Sequence, residues 1–81
     1  MNIKAYTLST CVFCQRFKRF METHNMEFEY VDVDLLEGEE LEAIRREKQD
    51  ICPGCGYPII VVDGAVIRGF DEPRLREVLG I

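Results

Sequence analysis

The segment STCVFCQRFKRFM (residues 9–21) decides the fold, because two cysteines three positions apart stand where a strand pattern changes to a helix pattern. Residues 2–8 before it alternate in hydrophobicity and predict a β-strand. Residues 11–24 carry apolar side chains at helical spacing and predict an amphipathic helix, with hydroxyl caps from Ser9 and Thr10. Cys11 is therefore expected at a helix N-terminus, and Cys14 one turn further in.

The remaining chain divides at glycine, proline and asparagine residues into five further segments. These are a strand at 26–34, a helix at 38–49, a loop at 50–57, a β-hairpin at 58–68 and a helix at 71–80. Asp63-Gly64 suits a type I′ turn, and Asp71 is a candidate N-cap. Strands joined through a helix should be parallel, so the order predicts an α/β fold with a mixed four-stranded sheet between helices.

Length and composition limit the possible functions. Eighty-one residues predict one domain, 1–81, and 47% hydrophobic with 31% charged residues are typical of a globular protein. A net charge of −5 argues against a nucleic-acid partner. Since the sequence shows neither a signal peptide nor an apolar run of roughly 20 residues, we expect a cytoplasmic monomer without a membrane partner.

The pair Cys11 and Cys14 has the spacing of a redox centre. A thiol attacks as its thiolate, and a helix N-terminus stabilises that anion through free N–H groups and the macrodipole. Cys11 is therefore the predicted nucleophile, and Cys14 the residue that resolves a mixed disulfide. A C-x-x-C pair beside a strand-helix-strand pattern favours this interpretation. Metal ligation and a structural disulfide remain alternatives, although a four-residue ring restricts the unfolded chain little.

Three stretches resemble the glutaredoxins and their small glutaredoxin-like relatives: YTLSTCVFC (6–14), YPIIVVDG (57–64) and RGFDEPRL (68–75). The resemblance implies a thioredoxin-like, glutaredoxin-type three-layer fold with Pro58 in the cis form. It also implies a thiol–disulfide oxidoreductase that reduces protein disulfides or glutathione mixed disulfides, with glutathione as co-substrate and no bound prosthetic group. The expected reduction potential is about −200 to −230 mV.

A set of residues around the cysteines is predicted to bind substrate. The ring of Pro58 holds the preceding residue, Tyr57, in an extended conformation and leaves the backbone groups of Tyr57 free to pair with a peptide. Phe13, inside the C-x-x-C motif, is expected at the rim of the cleft, with packing in the core as the alternative. After the hairpin, Gly69 and Asp71 match two positions of the family's Gly-Gly-x-Asp segment. The alternative role of Asp71 is to cap the last helix. The predicted residues are Phe13, Tyr57, Pro58, Gly69, Phe70 and Asp71.

The sequence departs from the glutathione-using members at two positions. Leu8 stands where those proteins commonly carry a lysine, and Arg68 where they carry a glycine. Gly69-Phe70 instead resembles the glutaredoxin-like electron donors of ribonucleotide reductase, which take electrons from thioredoxin reductase. Those donors typically carry a basic residue where this chain has Asp71. The sequence therefore leaves two reductants open, glutathione and thioredoxin reductase.

A second pair, Cys52 and Cys55, precedes Pro58 in DICPGCGYP (residues 50–58). It could form an auxiliary dithiol that exchanges electrons with Cys11 and Cys14, or a local disulfide that tightens the loop. Both pairs together could instead hold zinc or an iron–sulfur cluster in a carrier protein. The 37 residues between the pairs exceed the spacing of a compact zinc ribbon, so we predict the auxiliary dithiol. A fold used only for docking is a further alternative.

Overall fold

A four-stranded sheet forms the centre of the computed structural model, which describes residues 1–81. The elements are β1 (Ile3–Thr7), α1 (Val12–Thr23), β2 (Glu29–Asp32), a short 3-10 helix (Val33–Leu35), α2 (Gly38–Ile51), β3 (Ile59–Val62), β4 (Ala65–Arg68) and α3 (Glu72–Leu79). The strand order is β2-β1-β3-β4, with β1 parallel to β2 and antiparallel to β3, and with β3 antiparallel to β4. The predicted mixed sheet is confirmed. No helix has both the length and the hydropathy to span a membrane.

Apolar side chains cover both faces of the sheet, because successive residues of a strand point to opposite sides. On one face, α1 and α3 pack against β1, β3 and β4 through Phe17, Met21 and Leu75, which are all fully buried. On the other face, α2 packs through half-buried residues against Tyr6 and Ile59. Two helices, a sheet and one helix thus form three layers, and the predicted amphipathic character of α1 is confirmed because its apolar face is buried.

The chain turns where the sequence predicts turns. Asn25 follows α1 with a φ of 52°, in the left-handed region that asparagine tolerates. Asp63 and Gly64 both have positive φ, as a type I′ turn requires, so the hairpin prediction is confirmed. The Asp71 carboxylate accepts a hydrogen bond from the Arg74 N–H at 3.2 Å and caps α3, as predicted.

The start of α1 differs from its prediction. The helix begins at Val12, and Cys11 is itself the N-cap because its sulfur accepts a hydrogen bond from the Cys14 N–H. The predicted hydroxyl caps were wrong. The Ser9 hydroxyl and N–H donate instead to the Asp34 carboxylate, which follows β2 across the sheet edge. This long-range contact lies beyond the reach of a local sequence pattern.

Two other boundaries were also wrong. The strand predicted at 26–34 spans only Glu29–Asp32, and a 3-10 helix takes Val33–Leu35, because the parallel pairing with β1 ends where β1 does. The loop predicted at 50–57 begins two residues later, because α2 continues through Ile51. The Ile51 side chain is partly buried against the apolar cluster that contains Tyr6 and Ile59.

Candidate redox site

Cys11 lies at the end of the sheet where β1 leads into α1. Its backbone is extended, and its sulfur accepts a hydrogen bond from the Cys14 N–H at 3.3 Å. The side chain is partly exposed, so a disulfide in solution can approach the sulfur. A free N–H group at a helix N-terminus stabilises an anion, and the sulfur of Cys11 occupies the position of a capping oxygen. The sulfur of Cys11 is therefore the one that a disulfide substrate meets, and it lies at the helix end.

Cys14 is placed differently, although it is also a free thiol. Its side chain is fully buried, and the Leu8 N–H points at its sulfur from 3.5 Å. Burial, and secondarily the hydrogen bond with Cys11, raise the pKa of Cys14 to about 12. At neutral pH Cys14 is therefore a protonated thiol. A bulky substrate cannot reach it, although it lies only one helical turn from the exposed sulfur of Cys11.

The segment before β3 forms the opposite side of the site. The Tyr57–Pro58 peptide bond is cis, as the family resemblance implies. The Tyr57 carbonyl oxygen lies 4.0 Å from the sulfur of Cys11, and neither backbone polar group of Tyr57 pairs with another backbone group. The Pro58 carbonyl accepts a hydrogen bond from the Gly69 N–H at 2.7 Å, which fixes the segment against the end of β4. An extended peptide beside Cys11 could pair with Tyr57.

Basic side chains lie near the Tyr57 ring. The Lys48 ammonium is 5.0 Å from the ring centroid, within cation–π range. Burial raises the pKa of Tyr57, while the charge of Arg45 acts in the opposite direction. Two cationic side chains of α2 thus lie near Tyr57, and the Asp34 carboxylate is a negative charge close enough to act on it as well.

The other predicted substrate-binding residues divide into two groups. Phe13 is 53% exposed, with the Arg16 guanidinium 5.4 Å from its ring centroid, so it lies at the rim of the site. Gly69, Phe70 and Asp71 already make contacts within the protein. The Gly69 N–H binds the Pro58 carbonyl, the Phe70 ring packs edge-on against Phe20, and Asp71 caps α3.

The second cysteine pair forms a disulfide, Cys52–Cys55. Cys52 is 3% exposed and ends α2, where its N–H donates to the Lys48 carbonyl at 2.8 Å, whereas Cys55 is partly exposed. The bond thus ties the end of the helix to the segment that leads to Tyr57. No group of three or more cysteine, histidine or acidic side chains is arranged to hold a metal ion.

A polar network beneath the site did not enter the sequence prediction. The Thr7 hydroxyl, fully buried at the end of β1, lies 2.6 Å from the Asp32 carboxylate and 3.1 Å from the Val31 carbonyl. Asp32 also forms an ion pair with Lys18 of α1 at 3.0 Å. These contacts join β1, β2 and α1 directly behind the cysteines. The sequence feature that could have indicated this network is Thr7, a polar residue at the end of β1 on the face that otherwise carries Ile3 and Ala5.

Comparison with known proteins shows the family and the fold. The glutaredoxin family model matches residues 3–67. The chain belongs to the glutaredoxin family. Its fold is accordingly thioredoxin-like, and it is a glutaredoxin-like redox protein with two cysteine pairs. The crystal structure of Methanosarcina acetivorans methanoredoxin matches with a TM-score of 0.91 and 38% identity, over 99% of this chain and 85% of that one.

Two curated relatives of this glutaredoxin-family chain differ in how much of it they cover. The glutaredoxin-like 8.6 kDa protein of the Clostridium pasteurianum rubredoxin operon is 29% identical over 79 residues, 95% of this chain and 96% of its own. The glutaredoxin-like protein NrdH of Salmonella typhimurium is 50% identical over 36 residues, 44% of either chain. The first similarity spans the whole fold, and the second covers less than half of it.

Proposed function

We propose that this protein is a thiol–disulfide oxidoreductase in which Cys11 attacks and Cys14 resolves. The observation that carries the proposal is the asymmetry of the pair: Cys11 is partly exposed and accepts a helix N–H, while Cys14 is buried with a raised pKa. The reduced protein needs free thiols at both Cys11 and Cys14, and a reducing compartment such as the cytoplasm maintains them. The protein acts as a monomer on disulfide-bearing proteins or glutathione mixed disulfides.

The reaction proceeds in two exchange steps. The Cys11 thiolate attacks one sulfur of the substrate disulfide, and the other sulfur leaves as a thiolate that takes a proton from solvent. Cys14 then loses its proton and attacks Cys11 in the mixed disulfide, which releases the second substrate thiol. Two electrons pass to the substrate, and the protein is left with a Cys11–Cys14 disulfide. Two further thiols, supplied by the reductant, restore the dithiol.

Glutathione is the proposed reductant. Lys48 and Arg45 lie near Tyr57, whose backbone groups are free to pair with an extended peptide, and glutathione is a peptide with two carboxylates. Phe13 and Tyr57 supply apolar surface, while the Gly69 N–H holds the Pro58 carbonyl and Phe70 and Asp71 follow it in the chain. No prosthetic group takes part.

The alternative is an electron donor to ribonucleotide reductase that is itself reduced by thioredoxin reductase. The partial similarity to NrdH and the sequence Gly69-Phe70 favour it, as does Leu8 in place of a lysine. Both candidates use the same cysteines, so a comparison of reductants distinguishes them.

The experiment measures NADPH oxidation with a small disulfide substrate, using either glutathione with glutathione reductase or thioredoxin reductase alone. The proposal expects turnover with glutathione that Cys11→Ser abolishes, and trapping of a mixed disulfide on Cys11 by Cys14→Ser. Turnover with thioredoxin reductase alone would establish the alternative. A wild type inactive with both, which binds stoichiometric metal when purified without oxygen, would instead indicate a metal or iron–sulfur carrier.

For Cys52 and Cys55 we propose an auxiliary redox role, as a second couple beside the first. The disulfide supports it, and so does the partial exposure of Cys55, the sulfur that an incoming thiolate can reach. Cys52 would then leave as the buried thiol. The test is whether a Cys52→Ser/Cys55→Ser variant changes the rate at which Cys11 and Cys14 are re-reduced.

A further inference from the structure

A groove between α1 and α3 plays no part in the exchange chemistry described so far. It has a volume of about 300 Å³ and is open to solvent. Its floor is aromatic: the Phe20 ring contacts the His24 ring at a centroid distance of 4.5 Å with the planes tilted by 55°, and it meets Phe70 edge-on at 5.9 Å. Such rings provide apolar contact area for a bound chain.

The rim of this groove concentrates positive charge on an otherwise acidic protein. Arg16, Arg19 and Arg76 line it, and Glu72 is its single acidic residue. Glu72 is paired with Arg76 at 3.7 Å, and the Arg76 guanidinium lies 5.3 Å from the Phe20 ring centroid. Arg16 and Arg19 are exposed and form no ion pair within the chain. Two cations of the groove are thus available to a ligand, in a molecule of net charge −5.

Two residues that line the groove adjoin residues of the redox site. Phe70 follows Gly69, whose N–H binds the carbonyl of Pro58, the residue after Tyr57. On the other side, Arg16 reaches from the groove to the ring of Phe13 at the rim of the site. A chain that leaves Cys11 across this rim would therefore enter the groove.

We propose that the groove binds an acidic segment of the disulfide-bearing protein substrate, beside its reacting cysteine. This inference rests on the proposed oxidoreductase function and adds the class of substrate. An open groove with an aromatic floor suits an extended peptide, since small-molecule pockets enclose most of their ligand. Carboxylates of the segment pair with Arg16 and Arg19, and an apolar side chain covers Phe20 and Phe70.

The test uses two synthetic peptides of equal length, each with one cysteine in a mixed disulfide with mercaptoethanol, flanked by glutamates or by glutamines. Reduced protein is mixed with each peptide, and the released peptide thiol is followed by acid quench and mass spectrometry in a single turnover. No external reductant is needed, because the Cys11–Cys14 dithiol supplies both electrons. We expect the acidic peptide to react about tenfold faster at low salt, at the low end of electrostatic steering. In about 1 M salt, where the Debye length is about 3 Å, the two rates should converge.

Three variants locate the effect. Arg19→Glu should bring the acidic-to-neutral rate ratio to about one or below. Arg46→Glu is the matched control, since it makes the same charge change at an exposed helical arginine without an ion pair, on α2 across the sheet; it should keep most of the preference. Arg16→Glu is a second groove variant with the same expected loss.

The outcomes separate the two proposals. A wild type that reduces both peptides at equal rates overturns the groove and leaves the oxidoreductase function standing. Equal losses of preference in Arg19→Glu and Arg46→Glu also overturn it, because the effect would then come from net charge alone. A wild type that reduces neither peptide overturns the proposed function, and the groove inference with it.

Discussion

The backbone N–H of Cys14 points at the sulfur of Cys11 from 3.3 Å, so the proposed resolving residue also holds the proposed nucleophile. In most helices the side-chain oxygen of a serine, threonine, asparagine or aspartate accepts this N–H. A sulfur in that position gains stabilisation as a thiolate, because the helix end offers donors and a partial positive charge. The C-x-x-C spacing thus places one cysteine at the cap and the other in the first turn.

The ionisation of Cys14 should depend on its neighbour. Burial and the Cys11 hydrogen bond together raise the pKa of Cys14 to about 12, so in wild type iodoacetamide should modify Cys11 and leave Cys14 unmodified at neutral pH. Cys11→Ser removes the neighbouring sulfur, and we expect the pKa of Cys14 to fall while burial keeps it above that of a free cysteine, about 8.5. Alkylation of Cys14 against pH, read by mass spectrometry, measures this value. A Cys14 that titrates near about 8.5 in the variant would show that burial has little effect.

Phe13 should affect substrate binding and leave stability unchanged. Its ring is 53% exposed beside Arg16, so Phe13→Ala removes contact area for a substrate and little core packing. We expect kcat/KM for a protein disulfide to fall about 3- to 10-fold, with the free energy of unfolding unchanged within about 0.5 kcal/mol. The contrasting variant is Phe17→Ala, which should lose about 3–5 kcal/mol because this ring is fully buried. Equal stability losses in both variants would place Phe13 in the core.

Lys18 should stabilise the fold through Asp32. The two charged groups are 3.0 Å apart and only 15% and 16% exposed, so Lys18→Met leaves a mostly buried carboxylate without its cation. We expect a loss of about 1–3 kcal/mol in urea unfolding at neutral pH, partly recovered by adding Asp32→Asn. Arg74→Met is the control, because its pair with Glu77 is 3.9 Å long and exposed; it should cost under about 1 kcal/mol. Equal losses in the two single variants would count against the network.

Glu47 should stabilise the fold as an acceptor for Tyr6. The Tyr6 hydroxyl hydrogen-bonds to this carboxylate, and the Tyr6 side chain is 1% exposed. Glu47→Ala should therefore lose about 1–3 kcal/mol, because the hydroxyl loses its partner, whereas Glu47→Gln keeps an acceptor and should lose less. The exposed ion pair with Lys4 adds little in either case.

The same carboxylate should make stability depend on pH. Hydrogen bonds from Lys4 and Tyr6 lower the pKa of Glu47 in the folded protein. Its stabilisation is therefore present above the pKa of the unfolded chain, about 4.3, and is lost as the pH falls through the folded value. The difference in unfolding free energy between wild type and Glu47→Gln should narrow on acidification. A difference that stays constant from neutral to acid pH would contradict this assignment.

The Cys52–Cys55 disulfide should contribute modestly to stability and add a second two-electron couple. A ring this short restricts the unfolded chain little, so Cys52→Ser/Cys55→Ser should lose about 2 kcal/mol or less. Fully oxidised wild type should accept four electrons, two for each disulfide, and the variant two. Thiol counting after graded reduction measures this number. Two electrons in wild type would show that Cys52 and Cys55 do not exchange with the added reductant.

Much of the fold could be read from local patterns. Alternation predicted β1, helical spacing predicted α1, and Asp63-Gly64 predicted the hairpin turn, because each of these features depends on residues within a few positions of one another. The boundaries that failed depend on distant partners. Ser9 donates to Asp34 instead of capping α1. Ile51 extends α2 by packing against the apolar cluster that contains Tyr6 and Ile59.

The sequence by itself determined the spacing of Cys11 and Cys14 and their place between a strand and a helix, since both are local properties of the chain. Only the tertiary structure decided what surrounds them. The Tyr57 carbonyl reaches Cys11 from 46 residues away, and Thr7, Asp32 and Lys18 meet only when three elements pack together. Residues far apart in sequence come into contact through the packing of the whole sheet, which no short segment encodes.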